Sequence, residues 1–194
     1  GLDFYSEIAI RTENLEQYSS NKKADNYLGK LDKSRRQKAK SYALGIPYGM
    51  TGYKLAFELN VPQEQAEELV KKYLDAFPDL KNWVQTSQEY VIENGYMRSI
   101  GGRIRHLPRA KQYAEKYGTV ILDSLQLWKD YNHDPHIYAH MKKVRRELKN
   151  YLNNGMNFQI QSFAASIVNR AAIAIAKEFK TKNMQATICM NVHD

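Results

Sequence analysis

Apolar residues recur at helical spacing along most of this chain, and the polar and proline-bearing positions between them mark where each helix should begin and stop. Residues 3–11 and 21–31 read as short helices joined by a polar loop, with Tyr5, Ile8 and Ile10 turned inward. Ser34 is placed to cap a basic helix, and Thr51 to cap the segment GYKLAFELN, in which Leu55 and Leu59 lie four apart on one face. The triplet Asn60-Val61-Pro62 predicts a stop and a restart, since proline is tolerated in a first helical turn. In QEQAEELVKKYLDAF, residues Ala66, Leu69, Val70, Tyr73 and Phe77 form one stripe that ends at Phe77-Pro78, with a second helix over about 79–93. That stripe and Trp83 read as core rather than as a binding surface.

The period changes after Asn94-Gly95. In YMRSIGGRIRHLP, Met97 and Ser99 alternate with Arg98 and Ile100, and the alternation resumes beyond Gly101-Gly102, which predicts a two-residue hairpin near 95–108. Residues 111–150 are less regular, and only from Pro135 does a helical pattern return, basic on one side. His136 and His140 stand one helical turn apart with His133 nearby, but no cysteine or HExxH context accompanies them, and a solvated face accounts for them better than a metal site. Residues 155–180 are the longest helical candidate, rich in Ala and Ile, with Asn157, Gln161 and Asn169 on or near its polar rim. The final MQATICMNVHD has the composition of a strand, and Cys189 within it reads as a buried small apolar residue. The fold class is therefore mainly α with a small β component.

Composition narrows the function classes. The chain has 194 residues, 43% hydrophobic and 26% charged, enough for one domain or two packed subdomains. Its apolar runs are too short for a membrane span and no secretory signal opens it, so a soluble intracellular protein with no membrane partner is expected. One cysteine cannot form an internal disulfide. A formal charge of +8 favours a polyanionic partner without identifying one.

The segment SRRQKAKSYALGIPYGMTG joins a cationic half to an uncharged half broken by Gly45, Pro47, Gly49 and Gly52. On a helix, Arg36, Lys40 and Leu44 project in one row, continued by Tyr48 if the helix persists past Pro47. Two cations one turn apart can grip neighbouring phosphates, Arg as a planar fork and Lys as a point charge. A solvated basic helix ending in a turn fits the same residues. No GxxxxGK[ST] loop is present, so any phosphate ligands would be side chains on a helix.

RRQKAKSYALGIPYGMT resembles the nucleotide-binding helix of the A family of DNA polymerases, the bacterial DNA polymerase I type. KKYLDAFPDLKNWV, NGYMRSIGGRIRHLP, NFQIQSFAASIVNRAAI and NVHD are similar to later segments of that family, in the same order, over most of the chain outside about 111–150, where extra residues stand. The resemblance implies a helical fingers subdomain over 1–154 and part of the palm over 155–194. It implies that Arg36 and Lys40 meet the phosphates of an incoming dNTP, with Lys40 also able to protonate pyrophosphate. Leu44 would stand at the sugar, Tyr48 near the base pair and Thr51 near the template. Arg103 and Arg105 would hold the backbone of primer-template DNA, and Asn157, Gln161 and His193 would lie along the duplex or primer end. Asp194 would be a catalytic, metal-binding carboxylate for one of two Mg²⁺ ions.

Several positions depart from the family pattern. Leu44 occupies the place of an aromatic residue, Ala43 stands where Asn is common, Pro47 enters the helix end, and Asn153 replaces an Arg four residues before Asn157. Leu44 and the extra segment point to a viral or otherwise divergent member. The family's first catalytic carboxylate would precede Gly1 and its Glu would follow Asp194, so this stretch is expected to be inactive without those segments, supplied in cis or in trans. A non-catalytic helical nucleic-acid-binding module, or a structural partner completing a polymerase on another chain, would keep the same basic surfaces.

Overall fold

The computed structural model describes residues 1–190, which fall into two compact units, Gly1–Gln88 and the stretch from Glu89 onward. Local chemistry sets most element boundaries. Helix α1, Phe4–Glu13, starts where the Asp3 carboxylate accepts from the Ser6 N–H, and it stops at Asn14 in the left-handed region. After α2, Leu28–Leu31, helix α3, Lys33–Gly45, is capped by Asp32 accepting from the Arg35 N–H. Ser34, expected to be that cap, lies inside the first turn instead. An ionised Asp two residues upstream is the better acceptor for N–H groups at the positive end of a helix.

Pro47 breaks α3 as its missing N–H requires. The helix ends at Gly45, a single 3-10 turn follows over Ile46–Tyr48, and Gly49 takes φ 84°. The Thr51 hydroxyl then accepts from the Lys54 N–H to open α4, Gly52–Leu59. Asn60 closes it at φ 52°, and Pro62 precedes α5, Gln63–Ala76, and α6, Pro78–Asn94. The core of this first unit joins α1, α2, α3, α4 and α5 through Ile8, Ala9, Leu28, Tyr42, Leu55 and Tyr73, with Leu69, Val70 and Phe77 packed at its margin. The helix expected over 21–31 shrinks to α2. Asn21 accepts from the Lys23 N–H in a local turn, and residues 19 and 21 bridge to Tyr27 and Leu2, which takes this backbone out of helical pairing.

In the second unit, strands β1, Tyr96–Arg98, and β2, Ile104–His106, pair antiparallel with Arg98 opposite Ile104. The loop differs from the predicted two-residue turn. Gly102 donates to the Ser99 carbonyl at φ 80°, and Ser99 donates to the Arg103 carbonyl, leaving Ile100, Gly101 and Gly102 as a three-residue loop with its left-handed position on glycine. Residues 111–150 become the end of α7, Pro108–Tyr117, a 3-10 turn Thr119–Leu122, helix α8, Ser124–Tyr131, and the start of α9.

Helix α9, Pro135–Thr181, is a single element of 47 residues, opened by Asp134 accepting from the N–H groups of His136 and Ile137. The helix expected to begin at Gly155 is thus the continuation of one that begins twenty residues earlier. Its first half buries Met141, Val144, Leu148, Leu152 and Met156 with Val91, Met97, Leu107, Ala110, Ile121 and Leu127. Beyond Ser162 none of its residues is buried among the described residues. Residues 184–190, expected to begin a strand, form no ladder among the described residues, and Cys189 is exposed rather than buried. A strand exists only through a partner's hydrogen bonds, and composition cannot supply one.

Candidate nucleic-acid interface

Helix α3 puts its small and aromatic residues, Ala39, Tyr42 and Ala43, into the core, which leaves the row Arg36, Lys40 and Leu44 on its other side. Lys40 is exposed and has no carboxylate partner among the described residues. Leu44 is 47% exposed, and Tyr48, carried round by the 3-10 turn, is 39% exposed. An apolar and an aromatic side chain thus stand free one and two turns beyond the cation. Thr51 is exposed, with its hydroxyl engaged as the cap of α4.

Arg36 is not a free cation. Its Nε and Nη2 donate to the two oxygens of Asp3 at 2.8 Å each, and its guanidinium carbon lies 5.4 Å from the centre of the Tyr5 ring. Asp3 is buried, and the Ser6 hydroxyl also donates to it. The Arg36 fork holds the Asp3 carboxyl well below the usual carboxylate range despite the opposing effect of burial, and Asp3 in turn raises the guanidinium pKa. A side-chain hydrogen bond with Tyr27 adds a smaller contribution in the same direction. Asp3 was not among the residues singled out in the sequence. Its local signal is that of an N-cap, and nothing in the intervening residues announces a partner 33 positions away.

The second unit carries the other candidates. Arg103 just precedes the hairpin's outer strand β2 and Arg105 lies within it, on either side of Ile104; all four residues from 103 to 106 are exposed. Neither arginine has an ion pair among the described residues. Met97 of the inner strand and Ser99 just after it are buried, so the hairpin is anchored on one edge and offers its cations on the other. Asn157 and Gln161 lie four apart on α9, the first half-buried with its Oδ1 lacking a hydrogen-bond partner, the second exposed. Gly155 lets this part of α9 approach its neighbours, because a Cβ there would lie 2.6 Å from Val91 Cγ2. His140 rests against Tyr117, ring centres 6.3 Å apart. His193 and Asp194 lie outside the described residues. The structure thus gathers Arg36, Lys40, Leu44, Tyr48 and Thr51 in one unit and Arg103, Arg105, Asn157 and Gln161 in the other.

Comparison with known proteins bears on what these rows are for. The sequence matches the profile of DNA polymerase family A over residues 16–194. It is 26% identical over 160 residues to DNA polymerase I of Caldicellulosiruptor bescii, covering 82% of this chain and 15% of that protein. With DNA polymerase I of Treponema pallidum the identity is 28% over 159 residues, covering 82% and 13%. With the thermostable DNA polymerase I of Thermus aquaticus it is 24% over 164 residues, covering 84% and 16%. The fold superposes on the POL domain of Pol1 from M. smegmatis, solved in complex with DNA primer-template and dNTP, with a TM-score of 0.67 and 23% identity, over 99% of this chain and 27% of that one. The chain therefore spans about a sixth or less of the curated relatives' length. With a profile match over nearly its whole length and a shared fold, the chain belongs to DNA polymerase family A.

Proposed function

We propose that this chain is the nucleotide- and DNA-handling part of a template-directed DNA polymerase, with residues 1–154 acting as fingers and 155–194 as part of the palm. The reading is carried by the α3 row: a free lysine, then an exposed apolar side chain, then an exposed aromatic one, in a chain of this family. In the reaction, the primer 3′-oxygen bonds to the α-phosphorus of a dNTP, the bond to the bridging oxygen breaks, and pyrophosphate leaves. Lys40 and Arg36 would meet the charge that grows on the departing pyrophosphate, and Lys40 would supply it a proton. Leu44 would pack on the incoming sugar, Tyr48 would close against the nascent base pair, and Thr51 would face the template. Arg103 and Arg105 would hold backbone phosphates, while Asn157, Gln161 and His193 would follow the duplex and primer end.

Mg²⁺ enters this proposal through Asp194. When bound, the two ions of such an enzyme stabilise the attacking and leaving oxygens. Among the described residues no three His, Cys, Asp or Glu side chains converge, so no metal site is assembled from the described residues alone. No described helix is long and apolar enough to cross a membrane.

The test is primer extension by the complete protein with Mg²⁺ and dNTPs, repeated with Asp194→Ala and Lys40→Ala. Asp194→Ala should abolish extension, and Lys40→Ala should lower turnover by about 10²-fold or more. If Lys40→Ala weakened only dNTP affinity and left turnover intact, the proton role would be lost. A wild-type protein that bound DNA yet never extended a primer would leave a non-catalytic nucleic-acid-binding module as the reading.

A further inference from the structure

The continuity of α9 joins two stretches that the sequence pattern separates. At 3.6 residues per turn, Lys142, Arg146, Asn150, Asn153, Asn157 and Gln161 fall within a stripe about 100° wide along one helix face. The buried residues Met141, Val144, Leu148 and Leu152 occupy the opposite side. Lys142, Arg146 and Asn150 are exposed and Asn153 is half-exposed. Arg146 has no ion-pair partner among the described residues, and Lys142 rests only over the Tyr138 ring.

Nothing acidic interrupts the stripe. Between Pro135 and Gln161 the only carboxylate is Glu147, which accepts from the Tyr113 hydroxyl at 2.6 Å and is thereby turned toward α7. Lys149 stands beside the stripe but is partly buried, which disfavours its charge. The charge of the whole chain is gathered here too. From Glu89 onward there are 16 Lys and Arg against 9 Asp and Glu, so this unit holds +7 of the formal +8.

We infer that Lys142 and Arg146 bind the phosphate backbone of the same primer-template DNA that Asn157 and Gln161 follow, extending the DNA-tracking face of α9 about 22 Å toward its N-terminus. The inference rests on the function proposed above and deepens it, since it assigns a role to the basic start of α9. A rigid helix keeps a row of side chains in register over several turns, and duplex DNA presents a phosphate every few ångströms along such a line. Two cations without acidic partners, collinear with amides that would read the duplex, fit that polyanion. A free, solvated helix face would need no such alignment.

The experiment measures binding of a fluorescein-labelled primer-template with a single-stranded template overhang to the complete protein, by anisotropy, at several salt concentrations. The double variant Lys142→Gln/Arg146→Gln should bind about tenfold more weakly at 0.1 M salt, and its salt slope should fall by about two, one per lost phosphate contact. Its KM for dNTP at saturating DNA should not move, and Lys142→Arg/Arg146→Lys should retain binding and slope. Wild-type affinity and slope in the double variant would overturn the inference, as would weaker binding with an unchanged slope, the mark of a structural defect. Extension by a wild type whose double variant binds DNA normally would remove this inference alone. A wild type that neither binds nor extends primer-template would remove both it and the proposed function.

Discussion

Asp3 and Arg36 make the most consequential side-chain pair in the first unit, because one buried carboxylate serves two tasks. It caps α1 through Ser6 and it fixes the direction of a guanidinium at the base of the α3 row. Removing the carboxylate with Asp3→Ala leaves Arg36 without its partner, and a loss of about 3 kcal/mol is expected in urea unfolding. The pH dependence follows from the sign of the shift. The folded Asp3 pKa lies below its unfolded value, so the contribution is complete above the unfolded pKa of about 3.9 and is lost progressively as pH falls below it. The urea midpoint of the wild type should therefore drop between pH 5 and pH 3 by more than that of Asp3→Asn; equal drops would assign the acid sensitivity to other groups. Leu44 carries a second prediction at this scale. An aliphatic side chain offers the sugar a smaller contact than an aromatic ring. Leu44→Phe should change the ratio of 3′-deoxy terminators to dNTPs incorporated in primer extension, and an identical ratio would remove Leu44 from the sugar contact.

Among the elements, α9 is the one whose integrity matters most, and Gly155 is its tightest point. Glycine in a helix interior ordinarily costs about 1 kcal/mol relative to alanine. Here the space is already filled: a Cβ at Gly155 would meet Val91 Cγ2 at 2.6 Å and Leu107 Cδ1 at 3.3 Å, and valine cannot swing aside freely. Gly155→Ala should therefore lower thermal stability, with overpacking of about 1–3 kcal/mol opposing the propensity gain. Asn154→Ala, one residue earlier and exposed, should raise it by a few tenths of a kcal/mol. Calorimetry on the two variants separates crowding from propensity, and a stabilised Gly155→Ala would show that the hairpin and α6 can yield there. The break of α3 at Pro47 is the contrasting case, since there the covalent chemistry of one residue suffices to end the helix and start the 3-10 turn that exposes Tyr48.

For the molecule as a whole, formal charge is distributed unevenly between the two units. The first is nearly neutral and holds the candidate dNTP row; the second is strongly basic and holds the hairpin and α9. Affinity for primer-template DNA should fall about 10²-fold between 50 and 200 mM salt if Arg103, Arg105, Lys142 and Arg146 each neutralise a phosphate. Far-UV circular dichroism should not change over that range, because both cores are held by apolar packing that moderate salt leaves intact. Anisotropy and circular dichroism on the same samples check both halves of this expectation. A fold that melted with the loss of binding would mean that the basic surfaces are structural.

Helix caps, proline breaks and glycine turns were legible in the residues themselves: Thr51 opening α4, Pro47 closing α3, the stop at Asn60 and the hairpin around Gly101-Gly102 all follow from forces acting over a few positions. The row Arg36, Lys40, Leu44 was legible for the same reason, since helical periodicity alone puts it on one face. The expected cap at Ser34 and the expected helix over 21–31 gave way to Asp32 and to the bridges of residues 19 and 21, which composition did not reveal. Tertiary structure alone decided that Asp3 holds Arg36, that Gly155 is crowded by Val91, and that residues 135–181 are one helix whose basic start is collinear with Asn157 and Gln161. The physical reason is common to these cases: each depends on groups far apart in sequence, and their free energy exists only once packing has brought them together.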